Sequence, residues 1–304
     1  MLAPTLTATA TAGLRQTSSC VLALSPSLAN AIQVDNMGRI TASGCGIFSD
    51  SSASSAIYLN SGTISGKSVG AVGKVLLSNS GSNTLSPKPA VSGAAAKPDP
   101  YASQTAPAAG SCSTFNKSTG FPNGTNFTAW QSGPYQFTQS TNVFCGNTTI
   151  GGNGTTDTFA PGIYYVVNGN LTFSNAAVTS AAGVTFVLTG SSPGALSWTN
   201  YSGTYQMTAP TTGPTAGILV WQTCGSGGVS PASQFEGGST LQMSGAVYVP
   251  CGPLQLGNNA QLTTASGGSL SVIAETIDVT GSAGIAATAS STSSGGAIAV
   301  VLEQ

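Results

Sequence analysis

The feature that most constrains the fold is the regular return of short apolar strands in a chain with almost no helical periodicity. Five such runs start 21, 34, 28 and 24 residues apart in the second half of the 304-residue sequence. A recurrence of about 20–30 residues, with short strands and no helices, is typical of a β-solenoid. The runs are residues 163–167 (IYYVV), 184–188 (VTFVL), 218–221 (ILVW), 246–249 (AVYV) and 270–273 (LSVI).

A second recurring unit places four or five small residues, including Asn or Gly, between two apolar residues. Asn and Gly accept positive φ angles, so such a unit can turn a strand sharply without steric cost. We therefore predict turns between strands at five places, which are residues 34–40 (VDNMGRI), 59–64 (LNSGTI), 173–178 (FSNAAV), 256–262 (LGNNAQL) and 279–285 (VTGSAGI).

These patterns predict an all-β chain folded as a right-handed parallel β-helix, a β-solenoid with irregular coils. Loops are expected to project from it over residues 191–215 and 224–240. A β-sandwich, which also has short strands and turns, is the alternative fold. In the solenoid we expect a set of mostly inward-facing apolar side chains, which are Val166, Phe173, Val178, Val184, Phe186, Leu219, Val247, Val249, Ile273 and Ile277.

Charge is scarce and unevenly placed. Charged residues make up 5% of the chain, there is no His, and all seven Lys and Arg lie within residues 1–117. Without a basic surface, the chain is not expected to bind nucleic acid. Two residues in five are Gly, Ser or Thr, so solubility depends on hydroxyls, amides and exposed backbone, as in many secreted bacterial surface proteins.

The Pro- and Ala-rich residues 87–111 interrupt the strand pattern and are predicted to form an extended linker. They separate an N-terminal β-rich unit, residues 1–86, from a C-terminal β-solenoid unit, residues 112–304. The first unit is too short for more than a few coils. It could therefore stack on the second as a continuation of one solenoid, with the linker running along the outside.

The six cysteines form no Cys-x-x-Cys motif and have no His beside them, so we expect no metal site. An even number in this composition favours disulfides and an oxidising location: extracellular, cell-surface or periplasmic. Sequence alone leaves the connectivity open, and buried free thiols in a cytosolic protein are the alternative. We favour the order-adjacent pairs, which are Cys20–Cys45, Cys112–Cys145 and Cys224–Cys251.

No apolar run approaches the ~20 residues of a membrane-spanning helix, and the N-terminus lacks the pattern of a signal peptide. An exported protein without an export signal suggests a fragment of a longer one.

The acidic residues give little support for catalysis. Glu275 and Asp278 are three residues apart, so in a strand their side chains point to opposite faces. No His or nearby Lys is available to activate a serine. We expect no catalytic residue, metal or cofactor, although Asp157 and Glu236 could still meet from different coils.

Aromatic residues in segments rich in Ser, Gly and Asn are the candidate contacts for a ligand or partner, because exposed rings stack on sugars and on protein surfaces. Alternatively, they cap the ends of the core. They are Trp130, Tyr135, Phe137, Trp198, Tyr201 and Tyr205.

Seven segments together resemble the exported region of TadG-like proteins of the bacterial Tad/Flp pilus-assembly system. They are residues 20–27 (CVLALSPS), 44–51 (GCGIFSDS), 97–101 (KPDPY), 160–164 (APGIY), 183–190 (GVTFVLTG), 213–221 (GPTAGILVW) and 245–250 (GAVYVP). Each motif is a small-residue strand signature, and their order carries more information than any one of them. The resemblance implies a β-rich exported region with a role in pilus assembly or adhesion and no known chemistry. It also implies that membrane contact is made only by an N-terminal segment, which would lie outside this chain.

Our primary hypothesis is therefore a non-enzymatic envelope or extracellular protein with a structural or adhesive role in pilus assembly. Its expected partners are pilus or envelope proteins and surface glycans, and the open ends of a solenoid would permit end-to-end self-association. The alternatives are a polysaccharide-active β-helix enzyme and an ice- or surface-binding module. The latter needs Thr-x-Thr at the same place in successive coils, which only residues 5–11 show clearly.

Overall fold

In the computed structural model, the described residues are 19–78, 82–111, 127–128, 136–138, 142–150, 156–174, 178–199, 204–238 and 240–289. They form a parallel β-solenoid of about nine turns without any helix, which confirms the predicted solenoid. Its strands are β1 (Ser19–Ala23), β2 (Ile32–Asp35), β3 (Arg39–Ser49), β4 (Ile57–Asn60), β5 (Thr63–Ala71), β6 (Val75–Leu77), β7 (Thr84–Ser86), β8 (Phe127–Thr128), β9 (Gln136–Phe137), β10 (Val143–Cys145), β11 (Thr148–Ile150), β12 (Thr156–Phe159), β13 (Gly162–Val167), β14 (Leu171–Phe173), β15 (Val178–Ala182), β16 (Val184–Thr189), β17 (Leu196–Thr199), β18 (Thr204–Thr208), β19 (Ile218–Gln222), β20 (Ser233–Glu236), β21 (Thr240–Leu256), β22 (Gln261–Thr264), β23 (Leu270–Val279) and β24 (Gly284–Thr288).

The strands stack into three parallel faces around one core, and the long strands β3, β5, β21 and β23 bend from one face to the next. Face A is the order β10, β13, β16, β19, β21, β23, β1, β3, β5. Face B is the order β8, β11, β14, β17, β20, β21, β23, β2, β4, β6. Face C is the order β9, β12, β15, β18, β21, β22, β24, β3, β5, β7.

The order of coils along the rod differs from the order of the chain. Strand β1 lies between β23 and β3, so the first strand that the structure describes is in the interior of the rod. Ile32 on β2 aligns with Ile277, and Ile40 on β3 aligns with Ile285. The coils of residues 19–86 thus stack on the last coil of residues 127–289, and hydrogen-bonded sheets run through the joint between them.

Because of this order, residues 87–111 run back along the outside of face A, and we call them the strap. Val91 bridges to Gly70 near one end of the rod, and Gly110 lies beside Val143 near the other. Eight steps between coils, each about 4.8 Å, give the strap a span of roughly 38 Å.

Under the strap, face A carries an apolar ladder on its outer side. Adjacent members are in register from coil to coil, and all of them are buried. Ala94, Tyr101, Ala106 and Ala109 of the strap pack against it. Face A is therefore apolar on both sides. The ladder is Val143, Tyr165, Val187, Trp221, Tyr248, Ile273, Leu22 and Phe48.

The strap also has polar attachments to the rod. The Lys97 backbone N–H donates to Asp50 Oδ1 at 2.7 Å, and the Tyr248 hydroxyl donates to Asp99 Oδ2 at 2.7 Å. The rings of Tyr101 and Tyr248 have centroids 5.1 Å apart. Burial and the Asp99 carboxylate raise the pKa of the Tyr248 hydroxyl, so this hydroxyl remains a donor at neutral pH.

Eight of the ten residues predicted to face inward lie in the main core, and the exceptions are Ile273 and Val178. Ile273 is buried, but it belongs to the outer ladder under the strap. Its neighbour Val272 faces the main core instead. The side-chain environment of Val178 lies outside the described part of the structure.

All five predicted turn units connect face B to face C. Val34 aligns with Leu59 and Val279, so the units stack in register. Positive φ angles occur at Asn36, Met37, Ser61, Asn258, Asn259, Gly281 and Ser282 in four successive coils. The predicted projecting loops are shorter than expected: residues 191–215 contain β17 and β18, and residues 224–240 contain β20.

Two of the predicted disulfides are present and confirm the local pairing. Cys20–Cys45 joins β1 to β3, and Cys224–Cys251 joins the loop after β19 to β21. Cys145 is also disulfide-bonded, while its predicted partner Cys112 lies outside the described residues.

At the corner between faces A and B, successive coils approach through glycine. A Cβ added at Gly169 would collide with the Gly146 carbonyl, and one at Gly194 would collide with the Gly169 carbonyl. Asn170 Oδ1 accepts from the Ala195 N–H at 2.8 Å. Stacking at this corner therefore requires residues without a side chain.

We predict that Gly169→Ala lowers the free energy of unfolding by about 1–3 kcal/mol, the usual cost of overpacking. The matched control is Gly227→Ala, because nothing lies within 4 Å of a Cβ at Gly227. Urea denaturation should show a loss for the first variant only. Equal stabilities for both variants would contradict the close approach of the coils.

Candidate functional site

The candidate aromatic contacts do not form an exposed surface where the structure describes them. Phe137, Trp198 and Tyr205 are at most 1% exposed. Phe137 stacks on Phe159 at 4.5 Å, and Trp198 stacks on Phe173 at 4.7 Å. These three rings fill the core, and Trp198 packs between Phe173 and Phe235 in its interior rather than at one of its ends. Trp130, Tyr135 and Tyr201 lie outside the described residues.

An open groove of about 720 Å³ lies at the corner between faces C and A, beside the joint of the two units. Pro100 and Tyr101 of the strap form one of its walls. Backbone of Gly217 and Gly245 is exposed to it, and none of the described residues that line it is charged. Its volume is within the range of small-molecule sites. Six hydroxyl side chains line it: Ser19, Thr211, Ser244, Ser269, Ser271 and Thr288.

The chemistry of this groove is that of neutral hydrogen bonding. Each Ser or Thr hydroxyl both donates and accepts, and Tyr101 adds an aromatic ring and a phenolic hydroxyl. Burial raises the pKa of Tyr101, so its hydroxyl stays protonated at neutral pH. Such a lining suits a ligand that carries many hydroxyls and no charge, such as a neutral sugar chain.

Face C presents polar side chains in columns along the rod. Thr204, Gln206 and Thr208 of β18 align with Thr240, Gln242 and Ser244 of β21. Nearer the other end, Thr63 and Ser65 align with Thr84 and Ser86. In the coils between these two groups, the same columns contain Gly284 and Ala286 on β24 and Arg39 on β3. The face is thus a flat polar array that small residues and one cation interrupt.

The four acidic residues considered for catalysis have different environments. Asp157 is fully buried and lies two residues before the core residue Phe159 on β12. Glu236 is exposed at the end of β20. Glu275 lies where β23 bends, and Asp278 lies on its face B segment.

Asp278 has a neighbour that sequence reasoning missed, the carboxylate of Asp35. Gln33 on β2 aligns with Asp278, and its amide donates to Asp35 Oδ2 at 2.8 Å. Oδ1 of Asp35 and Oδ1 of Asp278 are both buried, with no hydrogen-bond partner. Burial, and secondarily the charge of Asp35, raise the pKa of Asp278. The two residues are 243 positions apart, so only the joint between the units brings them together.

Within the described ranges, no three acidic or cysteine side chains cluster in a way that could hold a metal ion. The same residues include no helix long and apolar enough to cross a membrane.

Comparison with known proteins gives this chain no relative. No protein-family model matches the sequence, and no significant match was found among curated proteins or solved structures.

The raised carboxyl pKa values predict that acid stabilises this protein. Burial raises the pKa of Asp50 as well as that of Asp278, from an ordinary value of 3.8. The folded state therefore binds these protons more tightly than the unfolded chain does. Stability should rise as the pH falls through the raised values, and the gain is complete below pH 3.8. Melting temperatures measured from pH 7 to pH 4 should increase.

Asp278→Asn should remove part of this increase and stabilise the protein at pH 7 by less than about 1 kcal/mol, because Asp278 keeps part of its hydration. Glu236→Gln is the matched control, since Glu236 is exposed. A melting temperature that falls steadily on acidification would refute the assignment.

Proposed function

We propose that this protein is a non-enzymatic, exported rod of the bacterial cell envelope, with an adhesive or structural role in pilus assembly. Its corner groove would bind neutral surface glycans. The pilus association depends on the resemblance of seven sequence segments to TadG-like proteins. The observation that carries the binding role is the uncharged groove lined by six hydroxyls and Tyr101.

Export is supported by the disulfides. Cys20–Cys45 and Cys224–Cys251 are formed, and Cys145 is also oxidised. Such bonds persist in oxidising compartments and are rare in the cytosol. They are consistent with a surface or periplasmic location.

A binding role also agrees with the chemistry of the groove. Electrostatic stabilisation of a transition state needs oriented charge or strong dipoles at the reacting atoms. Within the described part of its lining, the groove has neither a carboxylate nor a cation. It can hold a sugar chain through hydroxyls and one ring, but it offers no acid–base pair.

The groove can be tested with neutral oligosaccharides as probes, namely cellohexaose, maltohexaose and chitohexaose. We expect at least one to bind without being cleaved, as measured by calorimetry and by chromatography of the sugar. Ser269→Trp should weaken binding at least about tenfold, because the indole would occupy the groove. Ser27→Trp is the matched control on an exposed loop.

Three results would overturn this function. They are no binding of any of the three sugars, equal binding by the Ser269→Trp variant, and turnover of a sugar that is lost in Asp278→Asn. The last result would favour a polysaccharide-active enzyme.

A second candidate function is binding to a periodic surface such as ice, and the columns of face C favour it. Coils about 4.8 Å apart and alternate strand residues about 6.7 Å apart make a two-dimensional array of hydroxyls and amides. Gln206 donates to Gln242 at 3.4 Å, which helps to align the amides.

Microscopy of ice growth tests this candidate directly. Faceted crystals and slowed recrystallisation, both lost in a Thr204→Lys/Thr240→Lys variant, would support it. Round crystals with the unmodified protein would exclude it.

A further inference from the structure

We infer that the end of the rod formed by β6, β7 and the strap residue Val91, which bridges to Gly70 of β5, is a docking surface for an anionic lipid bilayer. This surface, called here the basic end, consists of Lys67, Lys74 and Lys88 around an apolar centre. It lies apart from the corner groove, and its test does not depend on the proposed function.

The three lysines lie at bends of the last coil. Lys67 lies where β5 bends from face C to face A, Lys74 lies between β5 and β6, and Lys88 follows β7. All three side chains are exposed. Residues 51–98 contain four lysines and no acidic residue. The basic end is therefore a concentration of positive charge on a rod whose other described residues are net acidic, with two basic residues against seven acidic ones.

Apolar side chains lie among these lysines because the core ends here. Leu77 aligns with the core residue Leu59, yet it is 39% exposed. Leu76 and Val91 are 46% and 55% exposed. A shallow groove of about 470 Å³ runs over Val75, Leu77 and Leu85, with Lys88 at its side. The described residues include six large apolar side chains that are exposed, and three of them, Leu76, Leu77 and Val91, lie at this end.

Charge and edge chemistry favour a lipid surface over a second copy of the chain. Two basic ends would repel each other. Among the described residues of the opposite end, strands β8 to β12 carry a single charged side chain, Asp157, and it is fully buried. Strands β6 and β7 have three residues each, and Pro87 and Pro89 follow them. Short strands with Lys and Pro oppose pairing with another strand edge.

An anionic bilayer satisfies both parts of the basic end. Lipid phosphates attract lysines held within a Debye length of the membrane surface. Exposed leucines can enter the boundary between headgroups and acyl chains. Stable attachment to a membrane generally needs two such contributions together. Docking through this end would stand the rod away from the bilayer, with the corner groove free.

The test is cosedimentation with vesicles at low salt. One set contains equal parts of phosphatidylglycerol and phosphatidylcholine, and the other contains phosphatidylcholine alone. We expect binding to the anionic vesicles only, with loss of binding in 0.5 M NaCl. A Lys67→Gln/Lys74→Gln/Lys88→Gln variant should bind on the order of a hundredfold more weakly.

Two further variants separate the contributions. Glu236→Gln removes an exposed charge at the end of β20, several coils from the basic end, and should bind like the unmodified protein. Leu76→Ser should weaken binding several-fold without changing its salt dependence. Circular dichroism and melting curves show that each variant is folded.

Several results would overturn the inference. They are no binding to anionic vesicles, equal binding to neutral vesicles, and unchanged binding by the triple lysine variant. Binding to polyglutamate without vesicle binding would assign the basic end to an acidic polypeptide instead. Concentration-dependent oligomers that the lysine substitutions abolish, without vesicle binding, would assign it to a second copy.

Discussion

The structure depends on the register in which each coil hydrogen-bonds to the next. Because the strands are parallel and aligned, a side chain lies above and below its counterparts in neighbouring coils. The inner column Phe173, Trp198 and Phe235 is one example. A column tolerates large rings only where the corners let the backbones approach. Gly169 and Gly194 let neighbouring coils approach at the corner between faces A and B. Residues with positive φ, such as Asn258 and Asn259, make the turn between faces B and C.

The same register explains why the chain can be joined out of order. One edge of β23 pairs with β21. The other edge can pair with any strand that has the same alternation of inward and outward side chains, and β1 supplies Val21 opposite Val272. Continuity of the sheets is independent of continuity of the backbone. One consequence is topological: the chain must return along the whole rod, which produces the strap. Another is chemical, since the covered side of face A can carry Trp221 and Tyr248, which would otherwise be exposed to water.

The sequence predicts features that depend on local pattern and misses those that depend on distant stacking. The turn units and the apolar runs are local, so their positions were predictable. The Ser, Gly and Asn residues around Trp198 and Tyr205 favour loops. In LSWT and TYQMT, however, apolar and polar residues alternate, and this alternation predicts the half-buried strands β17 and β18.

Other features leave no local signal. Ile273 and Val272 are both buried because the strap covers one side of the strand. Two adjacent apolar residues do not indicate which segment of the chain covers the outer one. The approach of Asp35 to Asp278 exists only across the joint between units. The resemblance to pilus-assembly proteins has support from segment order alone, because stacked small-residue strands recur in any solenoid of this composition.

A solenoid offers a partner only its lateral faces, its corners and its ends, and this chain gives each a different chemistry. Face A is covered by its own strap. Face C is an almost neutral surface of Thr, Ser and Gln, with Arg39 its one cation in the described columns. The corner groove has hydroxyls and Tyr101, and positive charge is concentrated at the basic end. Neutral ligands are therefore expected along the side of the rod and anionic surfaces at its end. The two kinds of recognition can operate at once, because the coils that separate them are rigidly stacked.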